Sequence, residues 1–410
     1  MSQTGCPIGH NTRKSNYPGE TLEGGVDVVD GVWQVRDMGV AREVLRSRET
    51  TQAGFNAEAI NMGRLRKPIL YADGEGHRKQ RATIARYFAP KTVDSNYHEL
   101  MEGYADQLVD EFRTSGSCDL SQLTLRYSVV VAAQVVGLTD SDTDAMGRRL
   151  ERFFANPAIP PSQEGTSEKP TLRSRFSSIR MATLGQGPML LFHFKDVRPA
   201  IKARKAKRSD DVISHLIDEG YTDLEILIEC VTYAAAGMVT TREYIGMATW
   251  RLLEDEELRS RYLNAPDKAG RYEVLLEILR LEPIVGHLYR RMQAPLEVSV
   301  DGQTRTIPKG ALVDIHIRNA NADPAIAGDD ALQLCPGREL PPRVGKEVVS
   351  FGDGGHKCPG NSLAIQEADV LLQRLLRLPV KLATKPGIEW DELIKGYEVR
   401  NIRLVLDRDA

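Results

Sequence analysis

Residues 351–364 read FGDGGHKCPGNSLA and place a cysteine, Cys358, in a glycine-rich loop just before a predicted helix. The free amides and the dipole at the start of that helix favour a thiolate over a thiol. Glycines at 352, 354, 355 and 360 let the backbone lie close to something flat and bulky. Judged by these residues alone, Cys358 is a structural thiol, a nucleophile or a metal ligand.

The same stretch fits the pattern F-x-x-G-x-H-x-C-x-G-x-x-x-A and resembles the haem-binding signature of the cytochromes P450. The resemblance implies that Cys358 ligates the iron of haem b, that Phe351 lies against the haem, and that His356 contacts a propionate. Gly360 belongs to the same cofactor-binding loop. Pro359 departs from the residue usual in bacterial members, and this departure leaves ligation undisturbed. A thiolate ligand makes haem iron electron-rich, which favours cleavage of an O–O bond.

A pair of opposite charges lies upstream, where Glu277 and Arg280 stand three residues apart in an apolar helical segment. Residues at this spacing share a helix face and can pair, and their apolar neighbours indicate burial. The spacing resembles the family's E-x-x-R motif, which implies a charged triad completed by a downstream arginine. Arg338 matches the position of that arginine, so the resemblance implies a triad that braces the haem loop.

Basic residues elsewhere match positions that bind haem propionates in the family. His77 and Arg81 lie four apart on one helix face and resemble the family's H-x-x-x-R pattern. Arg290 matches a further propionate arginine, with Arg291 as the alternative if the register is off by one. Arginine suits carboxylates because its guanidinium can donate two parallel hydrogen bonds. The other interpretation of His77 and Arg81 is a solvated charged face.

The longest helical pattern, Asp223–Leu253, is apolar or small on every face in its middle, which predicts a buried central helix. Within it, Ala235–Thr241 resembles the family's A-G-x-D/E-T-T motif, which implies that Thr240 holds water for the protonation of dioxygen. Val239 stands at the usual acid position, and valine cannot relay a proton. Three explanations stay open: Glu243 relays through water, the substrate supplies a polar group, or the reaction needs less protonation, as in oxidative coupling or peroxide-driven turnover.

The remaining patterns predict a helix-rich chain with a small β region, and the resemblance implies the mainly α cytochrome P450 fold. Helices are predicted at Asp37–Leu45, His77–Tyr87, Tyr97–Ser115, Ser121–Val136, Ser141–Phe154, Ser209–Ile217, Arg271–Glu282 and Asn361–Leu376. Strands are predicted at Val26–Val35, Leu296–Val300, Thr304–Ile307, Ala311–Ile317 and Val399–Leu406. The stretches Asn156–Pro170 and Asn319–Gly360 are predicted to be a mobile connection and a long functional loop, respectively. We predict one domain over residues 1–410, with about 1–20 flexible.

Composition excludes several classes of protein. The 410 residues are 41% hydrophobic and 27% charged, as in globular proteins, and the net charge of −3 gives no case for nucleic-acid binding. No apolar run is expected to reach the roughly 18 residues of a membrane span. The N-terminus has no apolar signal-peptide core, and the five scattered cysteines favour reduced thiols, so we expect a cytoplasmic protein.

The resemblance implies a monooxygenase that activates dioxygen and oxidises a small organic substrate. The chain carries no flavin or nicotinamide fingerprint, so electrons are expected from a separate ferredoxin and ferredoxin reductase. Arg78, Lys79 and Lys357 could belong to a docking face for that partner or be plain surface charge. Two alternatives are an oxidative coupling enzyme without oxygen insertion and a non-catalytic haem-binding module for recruitment or sensing. By family analogy, Tyr397 is among the residues expected near the substrate pocket.

Overall fold

The computed structural model describes residues 13–21, 23–54, 57, 63–155, 187–300 and 302–407. The described chain is mainly helical with a small β region, as predicted. Its α-helices are Met38–Arg46, Gly74–Phe88, Pro90–Thr92, His98–Ser115, Leu120–Val136, Thr143–Ala155, Arg198–Ala206, Val212–Asp218, Asp223–Ala234, Thr240–Glu254, Glu256–Leu263, Lys268–Leu281, Ile317–Asn321, Pro324–Ala327 and Asn361–Leu375. Residues 187–192 are also helical. The π-helices are Val93–Tyr97, His193–Val197 and Ala235–Val239, and Gly354–His356 is a 3-10 turn.

The strands form four small sheets. They are Val26–Val29, Val32–Val35, Thr50–Gln52, Ser117–Asp119, His287–Met292, Leu296–Val300, Gln303–Ile307, Leu312–His316, Val380–Leu382, Gly387–Asp391, Gly396–Arg400 and Arg403–Leu406. The largest sheet has five strands, and Leu312–His316 lies at its centre, antiparallel to His287–Met292 and parallel to Val32–Val35. One apolar core fills the helical part, and a smaller one packs beside this sheet.

Side-chain caps fix where several helices begin. Aspartates accept a hydrogen bond from an amide of the first turn at Asp37, Asp119, Asp255 and Asp267. The helix predicted to open at Ser209 begins instead at Val212, because the carboxylate of Asp211 accepts from the amide of Ser214. Sequence patterns located these helices to within three residues, except Glu256–Leu263, which was not predicted, and the cap decided their first residue.

The central helix runs from Asp223 to Glu254, within one residue of the prediction. Its interruption was not predicted: Ala235–Val239 is wound as a π-turn, which inserts an extra residue between the two α-helical halves. Ser128, on the neighbouring helix, donates a hydrogen bond of 2.9 Å to the carbonyl of Met238 at this turn. A partner from outside the helix therefore satisfies a carbonyl where the regular ladder is broken.

The central helix corrects one expectation about membranes. It is long and apolar enough to cross a bilayer by length and composition, although no such run was expected. Of its most apolar 18-residue stretch, 44% is buried inside the protein. Packing in a protein core accounts for this composition as well as a membrane does.

Two predicted strands are each divided by a turn. Val26–Val35 is a hairpin, because Asp30 and Gly31 at its middle have φ values of 49° and 79°. Successive positive φ angles are what a two-residue hairpin turn requires. The final segment likewise divides at Asn401, φ 56°, into Gly396–Arg400 and Arg403–Leu406, which belong to different sheets.

The N-terminal segment is less free than predicted. Residues 1–12 lie outside the described residues, but 13–20 are anchored to the protein. Arg13 is buried and donates hydrogen bonds to the carbonyls of Leu281, at 3.0 Å, and Arg318, at 2.5 Å. The expectation of a flexible start is therefore wrong for 13–20. The predicted connection Asn156–Pro170 lies outside the described residues.

Candidate cofactor site

The loop before Cys358 is shaped by close backbone approaches. Gly354 has a φ of 65°, and a Cβ placed on it would lie 2.3 Å from the carbonyl oxygen of Leu45. Only glycine fits where the loop touches that helix end. The amide of Cys358 donates a hydrogen bond of 2.8 Å to the carbonyl of Phe351, which closes the loop on itself. These contacts fix the direction in which the thiol projects.

The surroundings of the Cys358 sulfur are more apolar than the sequence suggested. Burial raises the pKa of this thiol, and the Gly360 amide, Arg81 and Lys357 oppose that rise without cancelling it. The start of the following helix therefore does not suffice to hold a bare thiolate. A metal ion bound to sulfur supplies the missing positive charge and deprotonates a thiol outright. The site thus fits a sulfur–metal bond.

Three of the predicted propionate residues meet beside this loop. His77 projects from the helix Gly74–Phe88, and its ring stacks on that of His356 with centroids 4.1 Å apart. The Nε2 atom of His77 is buried and has no hydrogen-bond partner among the described residues. Burial, together with the charges of His356 and Arg81, lowers the pKa of His77 to about 4. Arg81 itself is held by a hydrogen bond to the carbonyl of Lys357.

Strand geometry decides between Arg290 and Arg291. Successive side chains on a strand point to opposite faces, and Arg290 points inward and is 2% exposed. It donates to the side-chain oxygen of Gln52 at 2.5 Å and to the carbonyl of Tyr289 at 2.8 Å. Arg291 instead bonds the carbonyl of Gly310. Arg290 is therefore the arginine that belongs to the cluster with His77 and His356.

This cluster of basic residues has little negative charge of its own. Among the described residues, no carboxylate forms an ion pair with Arg290, and burial lowers its pKa to about 10. The charge of Asp73 reaches Arg290, but the Asp73 carboxylate contacts His356, so the burial of these cations still favours an added anion. Two propionates would satisfy the guanidinium groups of Arg81 and Arg290 and the orphaned nitrogen of His77. The residues present therefore fit a haem, with Cys358 as the sulfur ligand.

Sequence reasoning missed one acidic residue of the site. Asp73 stands just before the helix that carries His77, and its carboxylate contacts His356 Nε2 at 3.2 Å and accepts from the Gln52 amide at 3.1 Å. Burial acts to raise the pKa of Asp73, but these bonds lower it overall. An aspartate before a helix is a capping signal that could have identified its position. Here the carboxylate orients His356 rather than capping the helix.

The charged triad is assembled as the resemblance implied. Arg280 donates two hydrogen bonds of 2.8 Å to the two carboxylate oxygens of Glu277. Arg338 lies 3.2 Å from the same carboxylate, and all three residues are buried. The remaining guanidinium protons of Arg280 go to backbone carbonyls of Asn321, Ala331 and Gln333. The triad thus fastens the loop-rich stretch to the helix Lys268–Leu281.

The π-turn opens the central helix at the predicted oxygen side. Ala236 is exposed there, whereas the residues from Thr241 to Leu252 are all buried. Thr240 donates its hydroxyl to the carbonyl of Ala236 at 2.6 Å. An exposed patch of small side chains within a core helix leaves room for a ligand. Thr240 borders that room, and its role in proton supply stays a prediction.

Glu243 is occupied by structural contacts. Its carboxylate accepts from the amide of Val399 at 2.6 Å and from Arg242 at 2.7 Å. Glu243 is buried, and it ties the central helix to the strand Gly396–Arg400. Tyr397, expected near the substrate, is also buried, and its hydroxyl donates to the carbonyl of Glu282 at 3.1 Å. Both residues therefore hold the C-terminal strands against the helical core.

A second carboxyl on the central helix was not singled out by sequence. Glu229 accepts hydrogen bonds from the amide of Ile69 at 3.0 Å and from Gln80 at 2.9 Å. Its other oxygen is buried and has no partner among the described residues. Burial raises the pKa of Glu229 to about 7, and the bonds to Ile69 and Gln80 limit the rise. Glu229 thus links the loop before Gly74–Phe88 to the central helix.

The pKa of Glu229 predicts a pH dependence of stability. A carboxyl whose pKa rises on folding, here from 4.5 to about 7, binds more protons folded than unfolded. The free energy of unfolding should therefore fall from about pH 4.5 to about pH 7 and then level off. Glu229→Gln should remove this fall and stabilise the protein above pH 7 by up to about 3 kcal/mol. Urea unfolding of the wild type and of Glu229→Gln at pH 5 and pH 8 measures both the fall in the free energy of unfolding and the stabilisation by the variant.

Glu225→Gln is the matched control for this measurement, since Glu225 lies one turn earlier on the same helix. Burial acts to raise its pKa, but bonds to Arg66 and Thr222 lower it overall. Glu225→Gln should therefore destabilise the protein at neutral pH. Equal pH profiles for Glu229→Gln and the wild type would show that Glu229 does not titrate in this range.

Comparison with known proteins points in the same direction as these residues. A family model described as Cytochrome P450 matches residues 272–378. The polyketide biosynthesis cytochrome P450 PksS of Bacillus subtilis is 25% identical over 345 residues, which cover 80% of this chain and 76% of PksS. The putative cytochrome P450 133B2 of Xylella fastidiosa strain 9a5c is 24% identical over 388 residues, which cover 92% of this chain and 88% of that protein. The crystal structure of P450BioI with a ligated acyl carrier protein has a similar fold, with a TM-score of 0.70 at 20% identity, covering 95% and 94% of the two chains.

Proposed function

The chain belongs to the cytochrome P450 superfamily and is a haem-dependent oxidoreductase that incorporates oxygen, and from this premise we propose how its own residues serve that activity. We propose that Cys358 ligates the iron of haem b. Arg81, Arg290, His77 and His356 would hold the two propionates. The observation that carries this proposal is the buried basic cluster beside Cys358, in which Arg290 forms no ion pair among the described residues and His77 Nε2 has no hydrogen-bond partner there.

The protein's contribution is binding, orientation and proton delivery. When bound, the haem supplies the activation of dioxygen and the oxidation of an organic substrate. Asp73 orients His356, and Arg81 bonds the backbone of the Cys358 loop at Lys357. Phe351 and Gly360 line that loop. Thr240 would hold water at the exposed face of the π-turn.

We propose that Glu243 has a structural role rather than the role of proton relay. Its carboxylate already binds Val399 and Arg242, so relaying a proton would require it to give up these bonds. Of the three explanations for Val239, the occupied carboxylate of Glu243 disfavours the relay through Glu243. A proton path through substrate and water, or a reaction with less need for protons, is favoured instead. Oxidative coupling has less need for protons and is therefore a second candidate function.

Val239→Asp tests the missing acid. An acid beside Thr240 should deliver protons, so the variant should release less hydrogen peroxide per NADH consumed than the wild type. Val239→Asn is the control, because it has similar size and polarity to aspartate but no acidic proton. Peroxide yield and NADH consumption are measured for all three proteins with the same substrate. If aspartate and asparagine behave alike, proton delivery does not limit this enzyme.

We further propose that the substrate is a small organic molecule of secondary metabolism and that the protein works in the cytoplasm. A polyketide enzyme among the similar proteins supports the first point. The scattered spacing of the five cysteines in the sequence, which favours reduced thiols, supports the second. Electrons would come from a separate ferredoxin and ferredoxin reductase. Lys357 pairs with Glu347 at 2.7 Å, so Arg78 and Lys79 are the better candidates for partner docking.

The function is tested with haem-loaded protein, a surrogate ferredoxin and reductase, and NADH. Ligands are first screened by the shift they cause in the haem absorption spectrum, and those that bind are then turned over. A product heavier by one oxygen atom supports the monooxygenase, and a product lighter by two hydrogen atoms supports oxidative coupling. If every spin-shifting ligand is returned unchanged while NADH oxidation stays at background, a recruitment or sensor module is favoured instead.

A further inference from the structure

A second cluster of metal-binding side chains lies away from the Cys358 loop, where the N-terminal segment crosses the five-stranded sheet. Glu20, His287 and His316 each offer one donor atom, and these three atoms all lie within 4.8 Å of one another. Both histidines are buried, at 7% and 8% exposure, and the side chain of Glu20 is 6% exposed. The cluster therefore joins chain segments nearly three hundred residues apart in sequence.

We propose that Glu20, His287 and His316 bind a divalent transition-metal ion such as Zn²⁺, which fastens the N-terminal segment to the sheet. The carboxylate oxygen Oε1 of Glu20 lies 3.6 Å from His287 Nε2 and 3.4 Å from His316 Nδ1. These separations are longer than normal hydrogen bonds. They match the edges of about 3.3–3.5 Å that follow from a tetrahedral site with metal–ligand bonds near 2.1 Å.

Hydrogen bonds to the opposite ring nitrogens aim both imidazoles at this point. His287 Nδ1 contacts the carboxylate of Asp314 at 2.8 Å, and its Nε2 has no partner among the described residues. His316 Nε2 lies 2.6 Å from the side-chain oxygen of Gln34, which leaves Nδ1 facing Glu20. Histidine ligands of metals usually have such an acceptor on the second nitrogen, which fixes the tautomer. The arrangement is that of a built metal site.

The third ligand is held in the same way. Arg318 donates from Nε to Glu20 Oε2 at 2.7 Å and therefore leaves Oε1 available. Glu20 and Asp314 contribute two negative charges, and Arg318 and Arg13 are fixed cations that interact with Glu20. With neutral imidazoles, the cluster offers a metal ion three donor atoms, one of which is charged. Two nitrogens and one carboxylate oxygen suit Zn²⁺ and disfavour Mg²⁺ and Ca²⁺.

A proton is the natural competitor for this place. Burial acts to lower the pKa of His287, but its hydrogen bond to Asp314 and the nearby carboxylate of Glu20 outweigh burial and raise the pKa overall. A doubly protonated His287 between two carboxylates would occupy the place of the metal ion. His287 cannot bind a metal ion and carry this proton at the same nitrogen. A direct measurement of bound metal therefore distinguishes the metal-bound cluster from the protonated one.

The test uses the full-length, haem-loaded protein stripped of loosely bound metal. Zn²⁺ is titrated against a chromophoric chelator, and bound zinc is measured by elemental analysis, with Mg²⁺ in a parallel titration. We expect one Zn²⁺ per chain, no Mg²⁺, and a higher midpoint of thermal unfolding with Zn²⁺. Glu20→Gln and His316→Asn should weaken zinc binding by at least about 100-fold.

His98→Gln is the matched control, because the partly exposed His98 lies 3.7 Å from the carboxylate of Glu102 but belongs to no three-residue metal-binding cluster among the described residues. It should leave zinc binding unchanged. The haem spectrum reports folding of every variant and does not depend on zinc. Zinc binding that is absent in the wild type, or equal in wild type and Glu20→Gln, would overturn the proposal and leave the monooxygenase assignment intact.

Discussion

Cys358→Ser is expected to abolish monooxygenase activity and the carbon-monoxide absorption band that gives the cytochromes P450 their name. Serine has nearly the shape of cysteine, so the loop closed by the Cys358 amide and Phe351 should persist. Its oxygen cannot supply the electron-rich sulfur that favours O–O cleavage, and turnover should fall by at least about 100-fold. The measurements are the reduced carbon-monoxide difference spectrum and product formation.

Cys118→Ser is the control for this experiment. Cys118 lies in a small sheet away from the basic cluster, and burial raises the pKa of its thiol to about 12. Its replacement should leave both the spectrum and the turnover unchanged. If Cys358→Ser keeps the thiolate-type band, the sulfur that binds haem lies elsewhere and the assignment of the site fails.

Arg280→Leu is expected to give the largest loss of stability. The variant would leave the buried carboxylate of Glu277 with Arg338 and the Cys335 amide as its remaining partners. The carbonyls of Asn321 and Ala331 would lose the donor that Arg280 provides. Breaking a buried ion pair by removing one partner costs about 3–5 kcal/mol. Chemical denaturation, followed by helix content and haem absorption, measures the loss.

The chain contains a control with the same spacing on its surface. Arg113 pairs with Asp110, also three residues apart, and both side chains are more than half exposed. Arg113→Leu should cost less than about 1 kcal/mol, because exposed pairs contribute little. If Arg280→Leu does not fold, Arg280→Lys serves as an intermediate variant. Lysine keeps the charge but cannot make the paired hydrogen bonds. Equal losses for Arg113→Leu and Arg280→Leu would contradict a supporting role for the triad.

The sequence predicted elements whose patterns are local. Most long helices were identified because their apolar periodicity is uninterrupted, and their ends shifted by a few residues where a cap decided the start. The hairpin at Asp30 and Gly31 was read as one strand because the alternation of valines continues across the turn. The π-turn at Ala235–Val239 was missed because winding depends on neighbours such as Ser128, and these are distant in sequence.

The residues of the candidate site also divide into those that a local motif identifies and those that only the folded chain identifies. Cys358, His77, Arg81 and His356 could be named because fixed spacings carry them, whereas the choice of Arg290 over Arg291 required the strand's register. Asp73 and Glu229 have no motif, and their importance follows from burial and partners that only the folded chain shows. The Glu20 cluster was unpredictable for a stronger reason, since its members come from three separate segments.

The π-turn also affects how this enzyme could change its specificity. The half of the central helix before the turn holds the loop at Ile69 through Glu229, and the half after it begins with Thr240, from which the buried residues Thr241 to Leu252 follow. The wider turn allows the two halves of the helix to rotate relative to one another. The first half can therefore shift to fit a differently shaped substrate entrance while Thr240 keeps its place. New substrates could thus be admitted during evolution without rebuilding the chemistry. Deleting one residue from this turn would remove that independence and rotate the two halves together.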